Sequence, residues 1–576
     1  MQEKYYTDDR NTQILLALLK EHGIKRVIAS PGTTNIALVA SMQYDSWFDV
    51  YSSVDERSAA YMACGMAEST GEPVILSCTG ATASRNYFPG LTEAYYRKLP
   101  IIAVTGSHGD DIKGHLYAQS IDRSQAPKDT VIFSSVVKRQ DSEWKATIEI
   151  NKAILALKKN GGGPVHLDLE SAAYGGFTTK ELPNVRKIDY YGYTEEYPNI
   201  STHSKVAIFI GAHVKMSETL SQEIDKFCEL YNSVVFSDIT SGYYGKYRVH
   251  YALITGQEHY SNELTTPDIL IHLGEVSGDM YTTSSLKPKE TWRISPDGEI
   301  KDLFSNLTKV FGTSESYFFA RYNKLSSNAC SLSYYDSCIS LYREALTKIP
   351  DLPFGNIWVA KQLYSKIPQN SVLYCAILNT LRSWNFFEVD PSIEIRSNVG
   401  GFGIDGTIST LLGASLVQPN KLHFCFLGDL AFFYDMNSLG NRHLGSNVRI
   451  LLINNGKGTE FRNYDHPGSR WGTKADDFIA AGGHFGRKSS ELVKHYAQDL
   501  GFKYLSANNK REFEQNSEIF IDTKVIDSPI VFEVFTDSDD ESRSLKIMRT
   551  LLGDNRGLKE KVASYGKNAI KKILNK

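Results

Sequence analysis

Short apolar runs alternate along the chain with stretches whose apolar residues recur at helical spacing. Thr12–His22 carries such a helical face, and the run Arg26–Ala29 follows it. Further runs at Val74–Ser77, Ile101–Thr105 and Val165–Leu169 each end at small or polar residues, with helical stretches at Glu56–Ser69 and Leu91–Arg97 between them. This alternation predicts parallel strands covered by helices on both faces. Leu182–Ser201, rich in Pro, Tyr and Asn, predicts a linker. A second unit follows, with strands Val206–Ile210, Val234–Phe236, Ile269–Leu273 and Thr291–Ile294 and a helix over Ser217–Tyr231; it fades near Ser326–Ser333. A third begins near Gly355 with a helix over Ile357–Ile367, and its strands are expected at Val372–Cys375, Leu422–Leu427, Ile450–Ile453 and Ile530–Val534. The expected fold is α/β: three doubly wound domains with mainly parallel sheets, over residues 1–185, 200–335 and 350–576. No internal repeat is visible. The Lys-rich end, Leu558–Lys576, is expected to form a solvated amphipathic helix.

Composition narrows the class. A chain of 576 residues suits three or four domains at roughly 100–200 residues each. With 63 Lys+Arg against 66 Asp+Glu, the chain has no basic footprint for nucleic acid. Apolar runs such as Ile14–Leu19 and Leu99–Val104 fall far short of the roughly 20 residues that span a bilayer. The opening MQEKYYTDDRNTQ lacks the charged-then-apolar pattern of a signal peptide. Seven cysteines are an odd number with no CxxC pair, and five of them, in apolar or helical contexts, are expected as buried thiols. A cytoplasmic enzyme acting on small molecules, with no nucleic-acid or membrane partner, is the expectation.

The richest segment is Gly428-Asp429-Leu430, followed 25 residues after the Asp by Asn454-Asn455-Gly456-Lys457-Gly458. The run Leu422–Leu427 delivers Asp429 to the carboxyl end of a strand, where open parallel sheets bind ligands. Ala431–Leu444 reads as a helix, and the next strand brings Asn455 to the adjacent strand end. One carboxylate and one amide oxygen at a common point suit a hard cation such as Mg2+, whose octahedron diphosphate oxygens can complete. A helix N-terminus beside them favours the phosphate charge.

Here the sequence resembles the thiamin-diphosphate-dependent superfamily of decarboxylases and carboligases, whose metal motif is Gly-Asp-Gly and then, roughly 25–30 residues on, Asn-Asn. The resemblance implies that Asp429, the Asn455 side chain and the Lys457 carbonyl bind Mg2+, and that Gly428 and Leu430 line the cofactor. It extends upstream to Val54-Asp55-Glu56-Arg57-Ser58-Ala59-Ala60, where Glu56 opens a helix bearing small residues at 59, 60, 63 and 67. In the family such a Glu hydrogen-bonds the aminopyrimidine ring nitrogen and drives formation of the C2 nucleophile. Ser30-Pro31-Gly32-Thr33-Thr34-Asn35 stands where relatives have a Pro-Gly turn, and Thr79–Asn86 where they have a glycine-rich turn before an Asn-containing helix. Gln119 falls where carboligases place an active-site Gln. Asn398-Val399-Gly400-Gly401-Phe402-Gly403-Ile404-Asp405-Gly406 resembles the segment carrying the apolar residue beneath the cofactor, here Ile404 beside Gly403. The implied site is Glu56 and Gln119 as catalytic residues, with Glu56, Thr79, Gly403, Ile404, Gly428, Asp429, Leu430 and Asn455 on the cofactor.

Within the superfamily, Gly-Asp-Leu, Asp-Glu-Arg and Gly-Ile-Asp-Gly look nearest to the 2-succinyl-5-enolpyruvyl-6-hydroxy-3-cyclohexene-1-carboxylate synthases of menaquinone synthesis. Two substrate-gripping arginines of that group are missing, at Pro31-Gly32-Thr33-Thr34 and at Asn398-Val399-Gly400. Losing a guanidinium fork from a carboxylate pocket is not conservative. Thr33, Thr34, Arg85, His115 and Arg462 are the substrate-binding candidates, with Arg123 and Arg382 as further arginines. The resemblance implies an enzyme that decarboxylates a 2-oxo acid and passes the acyl unit to an aldehyde or ketone. A simple decarboxylase, the menaquinone-pathway synthase and an inactive cofactor-binding protein are the alternatives. Thiamin diphosphate and Mg2+ are the expected cofactors, with no FAD. A homodimer or homotetramer with sites at the subunit interface is the expected assembly.

Overall fold

Why these segments become strands is visible in how they divide their side chains. In the computed structural model, which describes residues 5–109, 112–122, 126–159, 162–171, 175–279, 283–326, 329–400, 402–484, 488–524 and 527–555, successive residues of the first sheet feed two separate cores. Val27, Ile75, Ile102 and Val104 join Leu15, Leu16 and Leu19 on one face. Ile28, Val74, Leu76, Ile101 and Ala103 join Ala59, Ala60, Ala63 and Leu91 on the other. A strand buried on both faces must be apolar at every position, which is why these runs show no alternation.

The first sheet contains β1 (Arg26–Ala29), β2 (Asp49–Ser52), β3 (Val74–Thr79), β4 (Ile101–Ser107), β5 (Phe133–Val137) and β6 (Val165–Glu170) in the order β2-β1-β3-β4-β6-β5. Every pair is parallel. The short β7 (Asp189–Tyr191) lies inside the stretch expected to be only a linker. In the middle sheet, β8 (Val206–Ile210), β9 (Ser233–Ser237), β10 (Arg248–His250), β11 (Ile269–Leu273) and β12 (Glu290–Ile294) run parallel in the order β10-β9-β8-β11-β12. After β13 (Leu307–Phe311), the third sheet collects β14 (Val372–Cys375), β15 (Glu394–Arg396), β16 (His423–Gly428), β17 (Val448–Asn454), β18 (Lys503–Ala507) and β19 (Ile530–Phe535). Its order is β15-β14-β16-β17-β19-β18, again all parallel. Three parallel-sheet α/β domains are therefore present, as the alternation predicts.

The first and third sheets share one topology, since numbering each from its own first strand gives the order 2-1-3-4-6-5 twice. In such a sheet the chain turns outward in opposite directions on either side of the first and third strands, and ligands bind at that switch point. Thr79 ends β3 and Gly428 ends β16, so both sequence-predicted turns stand at corresponding places. The residues of the two sheets do not repeat, only their strand order.

The chain divides into two compact units, Met1–Thr194 with Gly298–Val310, and Glu195–Asp297 with Phe311–Lys576. The excursion Gly298–Val310 is tied to the first unit by Arg186, whose guanidinium lies 2.9 Å from a fully buried Asp302 carboxylate, and by Lys159 donating to the Gly298 carbonyl at 2.8 Å. Some helices begin at side-chain caps: Asp9 accepts from the Thr12 amide at 2.9 Å and Ser217 from the Leu220 amide at 3.2 Å. The expected helix Ala431–Leu444 is instead an α-helix over Asp429–Asp435 followed by a 3-10 turn over Met436–Gly440. Asp435 explains the change, because its carboxylate accepts from Ser409 and Ser438 and so holds the backbone away from continued α-helix. All seven cysteines are thiols; six are buried and Cys330 is half-buried. Among the described residues no helix is long and apolar enough to cross a membrane. Leu558–Lys576 lies outside the described residues.

Candidate active site

The first unit supplies one half of the predicted constellation. The turn after β1 comes so close to β3 that a Cβ on Gly32 would sit 2.6 Å from the Thr79 Cβ, so only glycine fits. Thr34, buried, donates its hydroxyl to the Gly106 carbonyl at 2.8 Å. Its single proton being used there, the 2.6 Å contact between the Thr34 and Thr79 hydroxyls has Thr79 as donor. The ends of β1, β3 and β4 are thus knitted together by two threonines and two glycines. Thr33 points outward and is exposed. Ala81, in the turn after Thr79, holds a positive φ of 58°, a conformation rare for a residue with a side chain.

Glu56 opens the helix Glu56–Thr70 and is half-buried; its Oε2 accepts from Asn86 Nδ2 at 3.3 Å. Ala59, Ala60, Ala63 and Ala67 bury the other face of that helix almost completely. Their small size lets it lie close against the helix Phe88–Arg97 through Leu91 and Ala94. His115 and Gln119 lie on an exposed loop, Gln119 with a φ of 60°. The Arg85 guanidinium donates to the Asp122 carbonyl at 2.8 Å and lies over the Phe88 ring. Arg123 lies outside the described residues.

The second unit supplies the other half. Gly428 pairs in register with Ile453, which puts Asp429 beside Asn454 and Asn455 at neighbouring strand ends. The buried Asp429 carboxylate accepts from the Leu430 amide at 2.7 Å and from the Gly456 amide. A Cβ added at Gly428 would enter open space. Both asparagine amides are gripped from behind. Asn454 Nδ2 donates to Glu533 Oε1 at 2.7 Å, and Asn455 Nδ2 to Glu541 Oε1 at 3.2 Å. Glu533 also accepts from the Tyr504 hydroxyl at 2.7 Å, and Glu541 from the Thr536 hydroxyl at 2.5 Å.

Burial pushes the Glu541 carboxyl up to about 7, with the Asp429 charge adding to the shift and the hydrogen bonds from Thr536 and Asn455 opposing it. Burial also raises Glu533, against the hydrogen bonds from Asn454 and Tyr504, and again Asp429 adds to the rise. Three acidic groups therefore repel one another behind two asparagines, an environment that a cation relieves. Neither glutamate is distinguished in the sequence, where Glu541 is the last of three consecutive acidic residues after Ser538.

The donor set fits a hard divalent ion. Among the described residues no group of three His, Cys, Asp or Glu side chains could hold a metal, so an ion here draws on mixed carboxylate, amide and backbone oxygens. The Lys457 side chain turns to Asp476, 2.7 Å away, so only its backbone remains for that role. Ile404 is half-buried and packs on the core of the third sheet, with Gly403 before it; Gly401 lies outside the described residues. Arg462 is committed to Asp476 and to Asp539 at 3.2 Å, and Arg382 grips Glu460 with two bonds of 2.8 and 2.9 Å.

Residues 10–126 match the family profile described as "Thiamine pyrophosphate enzyme, N-terminal TPP binding domain". Along nearly the whole chain the sequence is similar to proteins named 2-succinyl-5-enolpyruvyl-6-hydroxy-3-cyclohexene-1-carboxylate synthase. The protein of that name from Phocaeicola vulgatus is 29% identical over 564 residues, covering 94% of this chain and 98% of its own. Those from Bacteroides fragilis and Flavobacterium johnsoniae are 29% and 27% identical, covering 94% and 93% of this chain and 98% and 97% of their own. With the three parallel-sheet α/β domains, these similarities support a thiamin-diphosphate-dependent enzyme, similar along nearly its whole length to the synthases it matches.

Proposed function

We propose that this enzyme decarboxylates a 2-oxo acid and joins the remaining acyl unit to an aldehyde or ketone, with thiamin diphosphate and Mg2+ as cofactors. The observation that carries the reading is the oxygen set at the ends of β16 and β17, with Asp429 fixed by two backbone amides and Asn455 by a buried acid. Asp429, the Asn455 oxygen and the Lys457 carbonyl would hold Mg2+, with Gly428 beside them open around its Cα. Ile404 supports the ring system from the side of the third sheet. Thiamin diphosphate supplies the nucleophilic carbon that adds to the keto group and stores the electron pair released with CO2. Glu56 holds a proton at the aminopyrimidine ring nitrogen, and Asn86 holds the Glu56 carboxylate in place. Thr34 and Thr79 present neutral hydroxyls in the first unit, after β1 and at the end of β3. Neutral groups such as these protonate a reacting carbon slowly, which favours carbon–carbon bond formation.

The domains 1–185, 200–335 and 350–576 remain the working division into pyrimidine-binding, central and diphosphate-binding parts. Two copies of the chain assemble each site, one giving Glu56 and the other Asp429. Mixing Glu56→Gln with Asp429→Ala chains is then expected to restore part of the activity that each variant lacks. Sedimentation checks the assembly: an active, strictly monomeric protein contradicts it.

The named relatives favour a second reading, that the donor is the one their product implies. That product carries a succinyl group, the acyl unit left when a five-carbon 2-oxo diacid loses CO2. Against it, the arginines expected for a diacid are absent at Thr33–Thr34 and Val399, while Arg85, Arg382 and Arg462 each have protein partners. Release of CO2 from pyruvate and from 2-oxoglutarate, with and without carbonyl acceptors, separates the readings. We expect the rate with the right donor to rise several-fold when the acceptor is added, and Gln119→Ala to weaken coupling more than decarboxylation. Fast aldehyde release that no acceptor diverts, abolished by His115→Ala, would instead establish a decarboxylase.

A further inference from the structure

We infer that Glu541 is a positioning residue for the metal site, because by accepting from Asn455 Nδ2 it fixes which end of that amide faces the cation. The inference rests on the Asp429 and Asn455 reading above. An asparagine amide has nearly the same shape either way round, yet only its oxygen can bind a cation. Some neighbour must make the two orientations unequal. Glu541 Oε1 receives two donors, Asn455 Nδ2 at 3.2 Å and the Thr536 hydroxyl at 2.5 Å. An oxygen already anchored by the threonine proton acts as an acceptor toward Asn455. Turning the amide over would set its oxygen against Oε1, acceptor against acceptor, where Glu541 is only 6% exposed and water cannot intervene.

The preceding residue shows the same device. Asn454 Nδ2 donates to Glu533 Oε1 at 2.7 Å, and its oxygen accepts from the Gly456 amide at 3.2 Å. Two consecutive asparagines are thus oriented by two buried acids, one on β19 and one on the helix Ser538–Met548 that follows it. A methionine would fill the place of Glu541 without the cost of burying a carboxyl group. The carboxyl group does what a methionine cannot, accepting from both Asn455 and Thr536.

The test is Mn2+ binding in the presence of thiamin diphosphate, followed by loss of the free-ion EPR signal, which does not depend on turnover. Glu541→Met keeps the length but removes the strong acceptor, and should bind Mn2+ about tenfold or more weakly, in the range seen when partners of metal ligands are removed. Glu541→Gln keeps Oε1 and its anchor, and should stay within about threefold of wild type. Glu541→Leu also lacks an acceptor and should be weakened alike; it decides the question if Glu541→Met does not fold. Wild-type binding by Glu541→Met, or by Glu541→Leu in its stead, overturns the inference. So does equal weakening in Glu541→Gln and Glu541→Met, which points to charge instead of orientation. Wild-type binding by Asp429→Ala overturns the metal-site reading and this inference with it. Loss in Asp429→Ala beside wild-type binding in Glu541→Met overturns this inference alone.

Discussion

Asp429→Ala is expected to bind thiamin diphosphate about 100-fold or more weakly than the wild type, a loss of about 2.7 kcal/mol. The carboxylate sits at the end of β16 with both oxygens ordered by backbone amides, so it meets an ion without first paying for its own immobilisation. Removing it takes away a charged oxygen ligand, and the two diphosphate charges then face the acidic groups Glu533 and Glu541 without a cation between them. A chelator should have the same effect on the wild type. Because Asp429 also accepts from Gly456, Asp429→Asn, which keeps the shape and an oxygen, should show a smaller loss. Calorimetric titration with thiamin diphosphate checks all three, at saturating Mg2+ for the two variants and in excess chelator without added Mg2+ for the wild type, and undiminished affinity in Asp429→Ala removes Asp429 from the site.

Glu56→Gln should separate binding from activation. The amide fills the same space at the start of the helix Glu56–Thr70 and can still meet Asn86, so cofactor affinity should change little. An amide cannot share a proton with a ring nitrogen, however, and turnover at saturating cofactor should fall on the order of 100-fold or more, within the range of general acid–base effects. Near-wild-type turnover in this variant means that the proton is handled elsewhere.

The strands that the sequence reveals are those buried on both faces. Val74–Thr79, Ile101–Ser107, His423–Gly428 and Val448–Asn454 lie inside their sheets and read as continuous apolar runs. In the first and third sheets those that escape, Asp49–Ser52, Phe133–Val137, Glu394–Arg396 and Lys503–Ala507, are the four edges. An edge strand is partly solvated, so residues such as Asp49, Tyr51 and Lys503 carry no apolar signal. The shared strand order of the two sheets was hidden for a related reason, since two of its six positions in each sheet are edges.

The site divides along the same line. Asp429 and Asn455 are legible because each follows an apolar run that fixes the carboxyl end of a strand. Glu541 is not, because its partner is 86 residues away in the chain. Ser538–Met548 opens with Asp539, Asp540 and Glu541. Three acids in a first helical turn read as favourable to the helix dipole. Only packing shows that the third of them is buried while the Asp539 side chain is 73% exposed. The arginines illustrate the converse: Arg382 and Arg462 are visible as candidates in the sequence, but their carboxylate partners, Glu460 and Asp476, emerge only from the fold.

The most direct test of the account is exchange of the C2 proton of thiamin diphosphate for deuterium on the protein, measured by rapid quench and NMR with Mg2+ present. The wild type should accelerate exchange by orders of magnitude over the free cofactor, and Glu56→Gln should lose most of that acceleration while still holding the cofactor. Cofactor that is bound tightly but exchanges no faster than in free solution, equally in wild type and Glu56→Gln, would contradict the account and leave a protein that binds thiamin diphosphate without activating it.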